Sequence, residues 1–377
     1  MNSSRAVIDV HVLQTLPPSC LNRDDTGAPK AALYGGARRA RVSSQSWKRA
    51  TRRYFNEHLD ALAKGVRTRK LPELFVERLA VRLGDRASGH GARLVRLANE
   101  ASGVLVGVKP ERLKKLAAAE EPADLDYALF ISGSAIDAAL DQLVGAFDGG
   151  ELDHDALMQA MGKGHSLDVA LFGRMIADTP ELNIDAACQV AHALSTHRVT
   201  SEFDFFTTVD DLAGDEETGA AMMGYVEFNS ATLYRYATVS LGRLADNLGD
   251  TQPVAAGVRA FVEGFVKSLP TGHQNTFAAM TLPDLVFVAL RSDQPVSLVG
   301  AFERPVEGIE GHVIESARRL AEHAEALDQL YGIRRVDGWA SYLPHIDGEV
   351  AGSLGTSLAF PELLDALEAA AAAQLLA

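Results

Sequence analysis

The sequence predicts an α+β protein in which the two ends of the chain build a mixed sheet with helices and the middle is a long helical insertion. Three observations carry this. Residues 7–13 alternate in polarity as a strand does, residues 70–161 show helical periodicity with Gly and Pro breaks, and strand patterning returns at 233–239, 285–290 and 296–302. Helical segments at 258–269 and 313–331 separate and follow the last strands, an order that makes a mixed architecture of sheet and helix.

In chain order, Ile8, Val10 and Val12 fall on one face of the first strand and Val7, Asp9 and His11 on the other, which predicts a half-buried strand. Pro17-Pro18, the run from Asn22 to Gly27, and Gly35-Gly36 are turn formers, so residues 15–42 read as a long loop or an irregular hairpin. Ser43-Ser44-Gln45-Ser46 supplies helix caps before Trp47, Ala50, Tyr54 and His58, whose spacing is near the helical period. Lys48 with Arg52 and Arg49 with Arg53 flank that apolar stripe. Further helices are expected at 71–83, 93–101, 111–119, 124–147 and 183–197, the first four forming an all-helical subdomain. Strands at 203–209 and 225–228 frame an acidic, glycine-containing tip at 214–224, a projecting hairpin, and the Ala-rich tail after Pro361 reads as a terminal helix. The sequence holds no internal repeat.

At 377 residues, 47% hydrophobic and 23% charged, the chain has the composition of a folded protein of about two domains, or of one with large insertions. The two cysteines, Cys20 and Cys188, are too few for a disulfide framework. The start lacks the pattern of a secretion signal, and no apolar run is long enough to span a bilayer. A cytoplasmic protein without a membrane partner is expected.

The net charge of −14 argues against nucleic acid, but the mean hides the distribution. Residues 26–56 hold Lys30, Arg38, Arg39, Arg41, Lys48, Arg49, Arg52 and Arg53 with no Asp or Glu, so they carry +8 and the remainder −14 − 8 = −22. A basic patch on an acidic body can hold a polyanion while the body repels non-specific ones. Glycines let the backbone approach a phosphate, and Ser/Gln at a helix start offers free N–H groups to anions. No Walker A spacing is present, so nucleotide hydrolysis is not indicated.

Asn22-Arg23-Asp24-Asp25 reads either as an Asx-rich turn neutralised by Arg23 or as a carboxylate pair for a divalent metal. Asp210-Asp211 is likewise read as a turn. Cys188, His192 and His197 lie four and five residues apart near one expected helix. A closed zinc site needs four ligands, so core packing is the reading there. Phe203, Phe205 and Phe206, with Thr207 and Thr208, begin the hairpin, which has little core of its own, so some of this apolar surface is expected to meet a partner or a base. The glycine-aromatic signature of an ordinary RNA-recognition motif is absent.

Taken together, the run Cys20 to Asp25, Gly35-Gly36 with Arg38-Arg39 and Arg41, Ser43 to Ser46, and Lys48-Arg49-Ala50 resembles the CasC-type backbone subunit of the type I-E CRISPR Cascade complex. Ala170-Leu171-Phe172-Gly173-Arg174-Met175, Ala191-His192-Ala193, the run Phe206 to Leu212, and Leu233-Tyr234-Arg235-Tyr236-Ala237 keep the same order. The resemblance implies an RRM-like (ferredoxin-like) palm at 1–60 and 181–345, a helical fingers insertion at 61–180, a thumb β-hairpin at 200–228 within the palm, and a C-terminal segment at 346–377. It further implies a non-catalytic subunit whose copies stack along the spacer part of the guide RNA, leaving bases free to pair with target DNA. The implied RNA-binding residues are Asn22, Arg23, Lys30, Ser43, Gln45, Lys48, Arg52, Met175, Phe206 and Thr207, with Lys163 a candidate in the insertion. No cofactor and no metal are implied. The implied partners are CRISPR RNA, target DNA through the guide, further copies of the chain, and the other Cascade subunits: the crRNA-processing endonuclease, the large and small subunits and the 5′-end subunit. The rival reading is a metal-dependent ribonuclease of a related CRISPR effector using Asp24 or Asp25.

Overall fold

The first strand, β1 (Val7–Ser19), runs antiparallel to Leu285–Arg291, with Val7 opposite Arg291 and Leu13 opposite Leu285. It is buried on both faces over residues 7–13 rather than on one. Asp9 and His11 suggested a wet face, but both are buried and each finds a hydrogen-bond partner inside, the His11 Nε2 alone staying unpaired. Asp9 pairs with Arg291 at 3.0 Å and accepts from the Tyr236 hydroxyl at 2.9 Å, and the His11 ring bonds the Tyr234 hydroxyl at 2.9 Å. A buried polar group that finds a partner need not face water.

The computed structural model describes residues 6–59, 65–161, 165–176, 178–208, 222–308, 310–333 and 335–376, and of residues 160, 208 and 222 the backbone alone. Lys163, Asp210-Asp211 and residues 214–221 of the expected hairpin tip lie outside the described residues. The chain divides into two compact units, one of residues 1–54, 189–239 and 258–377 and the other of 55–188 and 240–257.

The first unit is built on a sheet whose strands lie in the order Thr356–Ser357, Arg335–Tyr342, Leu285–Arg291, β1, Met222–Ser240, Ala193–Ser195, β3 (Ala37–Val42) and β2 (Ala31–Tyr34). One face packs Leu13, Tyr234, Tyr236 and Phe287 against Leu320, Ala321 and Ala324 of the helix Val313–Tyr331. Side chains alternate along a strand, so Arg235 points to the other face, where its guanidinium lies 3.8 Å from the Trp47 ring centroid and 4.6 Å from that of Phe265. Those two rings belong to helix α1 (Ser44–His58) and the helix Val254–Lys267, which cover that face.

Several expectations are corrected here. Of the two readings of residues 15–42 the hairpin holds for β2 and β3, and the long loop does not, because β1 also continues to Ser19. Residues 183–197 are not a helix; Ala193–Ser195 fills the gap between β3 and Met222–Ser240, and long-range pairing overrides the helical pattern. Residues 296–302 end in a short 3₁₀ turn at Val299–Phe302, which buries Leu298 and Phe302. The strand Arg335–Tyr342 was not anticipated at all.

The second unit packs the helices Leu71–Leu83, Gly91–Leu105 and Gly133–Phe147 around Phe75, Leu79, Leu97, Ala101, Ile136 and Leu140. It is not all-helical. Leu129–Ser132, expected inside a helix, pairs with Gly65–Thr68. Among the described residues no helix is long and apolar enough to cross a membrane.

Candidate nucleic-acid interface

Residues 20–30 leave β1 as a closed turn. One Asp24 carboxylate oxygen accepts from the Thr26 amide at 2.9 Å, the Thr26 hydroxyl at 2.7 Å and the Ala28 amide at 3.1 Å. Those donors hold the Asp24 carboxyl below the usual carboxylate range, the Thr26 hydroxyl first among them. The Asx-turn reading of Asp24 therefore describes what its side chain does. The turn closes with the Lys30 amide donating to the Asn22 carbonyl at 2.8 Å, while the Arg41 amide donates to the Lys30 carbonyl at 2.9 Å. The Asn22 side-chain oxygen accepts from the Ser43 amide at 2.9 Å, and the Ser43 hydroxyl accepts from the Ser46 amide at 3.3 Å. Asn22 and Ser43 thus fasten the turn to the start of α1.

Beyond this joint α1 presents two basic rungs. Lys48 and Arg52 are half-buried and engaged with neighbours, whereas Arg49 and Arg53 are exposed and face an open cleft of about 680 Å³. Its walls are the turn from Asn22 to Gly27, the α1 residues Ser46, Arg49 and Arg53, and the loop 269–272. Arg53 donates to the Thr271 hydroxyl at 3.2 Å, and Gly272 lies so close to the turn that a Cβ there would sit 2.3 Å from the Leu21 carbonyl oxygen. Arg23, Arg49 and Arg53 therefore line one polar cleft together with Asp24 and Asp25, so its cations outnumber its anions by one and its guanidiniums can meet phosphate oxygens. The resemblance implies RNA contacts for Lys48 and Arg52 and none for Arg49 and Arg53. The signal was present in their i,i+4 spacing, but nothing local showed which rung opens onto a cleft.

The basic stretch is not uniformly available. Arg39 is buried, and its guanidinium donates to the carbonyls of Ser195 and Phe302 at 2.9 Å each and of Glu303 at 3.2 Å. Burial lowers its pKa. One of the eight cations thus serves the fold. The Cys188, His192 and His197 spacing carries no helix: His192 meets the Arg41 guanidinium at 3.1 Å, while His197 accepts from the Thr232 amide at 3.0 Å and donates to the Arg198 carbonyl at 2.8 Å. Both cysteines are buried free thiols. Among the described residues no three His, Cys, Asp or Glu side chains are grouped to hold a metal ion.

Phe206 and Thr207 sit on Glu202–Thr208, paired with Gly224 and Met223 of the long strand. The Phe206 ring lies over Gly224, where a Cβ would come within 2.5 Å of it. Phe203, Phe205, Met223 and Tyr225 are exposed, with the Phe205 and Tyr225 rings 5.1 Å apart. Lys30, Ser43, Gln45, Lys48 and Arg52 share the first unit with Asn22, Arg23, Phe206 and Thr207, while Met175 belongs to the second and is 82% exposed.

A family model described as CT1975-like protein matches residues 8–366. The chain belongs to the CT1975-like family. Solved structures agree with that membership. One similar chain, described as "CRISPR RNA-guided surveillance complex, pre-nicking", is 34% identical, with 97% of this CT1975-like chain and 100% of the other covered at a TM-score of 0.83. A second, described as "CRISPR RNA-guided surveillance complex", is 30% identical, covering 97% and 99% at a TM-score of 0.63. A comparison with curated proteins finds no match.

Proposed function

We propose that this CT1975-like chain is a guide-RNA-binding backbone subunit of a CRISPR surveillance complex of type I-E, stacking in copies along the spacer and catalysing nothing itself. The observation that carries the reading is the cleft lined by Arg23, Arg49 and Arg53, in a chain similar over 97% of its length to one in an RNA-guided surveillance complex. Phosphate contacts fix the register of a strand and leave its bases free, which is what pairing with a target requires. Asn22 and Ser43 brace the turn, Arg23, Lys30, Gln45, Lys48 and Arg52 meet the backbone with Arg49 and Arg53 added to them, and Met175, Phe206 and Thr207 pack against a kinked strand.

We assign the RRM-like palm to the sheet-bearing unit, the fingers to the helical unit and the thumb to the hairpin within 200–228. The partners that follow are the guide, the target DNA it pairs with, neighbouring copies and the other complex subunits. The ribonuclease reading loses support at Asp24, one of whose carboxylate oxygens accepts three hydrogen bonds from its own turn.

Two measurements test the proposal. The purified chain is expected to carry or bind RNA in a salt-dependent way, and Lys48→Gln with Arg52→Gln to weaken unrelated RNA sequences about equally. Affinity that stays flat from low to high salt overturns it, as does magnesium-dependent cleavage of RNA.

A further inference from the structure

Met175 stands in water between two residues that do not. Arg174 is 5% exposed and Ile176 is fully buried, against 82% exposure for Met175. The Arg174 guanidinium turns inward and gathers three separate stretches of chain. Its Nε and one terminal nitrogen donate to the Leu182 carbonyl at 3.0 and 2.9 Å, the same terminal nitrogen donates to the Met161 carbonyl at 3.1 Å, and the other to the Phe130 carbonyl at 3.4 Å. All of these acceptors are carbonyls, and burial brings the Arg174 pKa down to about 10. A buried guanidinium without a carboxylate is expensive unless its donors are used, and here they are used on backbone.

The backbone on either side of Met175 is fixed as well. The Arg174 amide donates to the Ile184 carbonyl at 3.0 Å and the Ile184 amide donates back at 2.8 Å. The Ile176 amide donates to the Asn183 side-chain oxygen at 2.5 Å. Gly173 precedes the pair at a φ of 76°, and a Cβ there would meet the Ile184 carbonyl oxygen at 2.7 Å. Residues 174 and 176, on either side of Met175, are therefore tied to 183 and 184 by three hydrogen bonds, with one apolar side chain left outside. Methionine has three rotatable bonds, so a wedge made of it is precise only if its own backbone does not move.

The geometry points to Arg174 and Asn183 as positioning residues that hold Met175 at a fixed place for packing against the kinked RNA strand. This rests on the proposed RNA contact of Met175 and assigns the residues that make it a rigid wedge. Arg174 touches no ligand in this role; it acts by removing the freedom that an exposed loop methionine would otherwise lose on binding.

The test uses the full chain bound to RNA that carries 2-aminopurine at successive positions, since that base brightens when unstacked, together with a thermal melt of each variant. Met175→Ala is expected to abolish the bright positions. Asn183→Ala, which removes one bond, and Arg174→Gln are each expected to cut the brightening at least threefold while the salt dependence of binding stays as in the wild type. If Met175→Ala leaves the bright positions intact, the RNA contact of Met175 fails and the inference with it. If Met175→Ala removes them while Asn183→Ala and Arg174→Gln keep full brightness, the contact stands and the positioning role is overturned. A lowered melt with full brightness also overturns it, because that is the result of a purely structural clamp. Should Arg174→Gln not fold, Asn183→Ala decides alone.

Discussion

Replacing Arg49 and Arg53 together by glutamine removes two of the three guanidiniums of the cleft and leaves the rest of the basic edge. Six cations are assigned to the RNA backbone, namely Arg23, Lys30, Lys48, Arg49, Arg52 and Arg53. At about 0.7 counterions released per phosphate of a single strand, the wild type should show a slope of about −4 in log K against log salt, and the double variant about −3. Between roughly 50 and 200 mM salt that is an affinity loss of about 300-fold for the wild type and about 50-fold for the variant. Exposed ion pairs are worth up to about 1 kcal/mol each, so at low salt the variant should bind roughly 30-fold more weakly. Its folding should hardly change, because Arg49 is exposed and Arg53 makes one hydrogen bond with Thr271, and such surface changes fall within about 0.5 kcal/mol. Fluorescence anisotropy with two unrelated labelled RNAs across a salt series measures slope and affinity together. An unchanged slope, or a loss confined to one of the two sequences, refutes the assignment of this cleft to phosphates.

Arg39→Gln should do the reverse, lowering stability by about 4 kcal/mol in chemical denaturation because the buried carbonyls of Ser195 and Phe302 and the part-buried one of Glu303 lose their donor; a variant that melts normally but binds RNA poorly would contradict this. His197 is held neutral by burial, its pKa down to about 4 from 6.5. The unfolded chain takes up that proton first, so stability is full above about pH 6.5 and falls as pH drops towards 4, by about 2 kcal/mol at pH 5 from this residue. His197→Gln should flatten the pH dependence of unfolding by that amount, and identical profiles would show that the site does not titrate as described. Asp24→Asn and Asp25→Asn should leave no magnesium-dependent RNA cleavage to lose. For Asp24, whose folded pKa is lowered, the stabilisation of the turn is present above the unfolded value near 4 and is lost as pH falls below it. Proteolysis at residues 22–30 read at pH 7 and pH 3 checks this, and equal cutting of wild type and Asp24→Asn at pH 7 counts against the turn.

The joint between turn and helix was legible because its grammar is local. An Asx residue followed by glycine closes a turn whatever surrounds it, and serines before an amphipathic run start a helix, so Asp24 and α1 lie where the pattern put them. The helices Leu71–Leu83 and Val313–Tyr331 match the expected bounds, since a long apolar stripe at helical period has no competing reading.

What only the tertiary structure decided is which partner each residue meets. Arg39 and Arg49 are indistinguishable in a count of charge, yet one is spent on carbonyls brought from residues 195, 302 and 303 and the other lines a cleft. Residues 193–195 carry a helical pattern but fill the gap between β3 and the long strand, because hydrogen bonds offered by distant neighbours outweigh a weak local preference. Asp9 and His11 looked wet and are dry for the same reason, their partners Arg291 and Tyr234 lying more than two hundred residues away. The sequence by itself determined the local turns, the caps, the long helices and the place of the basic stretch, and the fold determined which of those charges remain outside to meet another molecule.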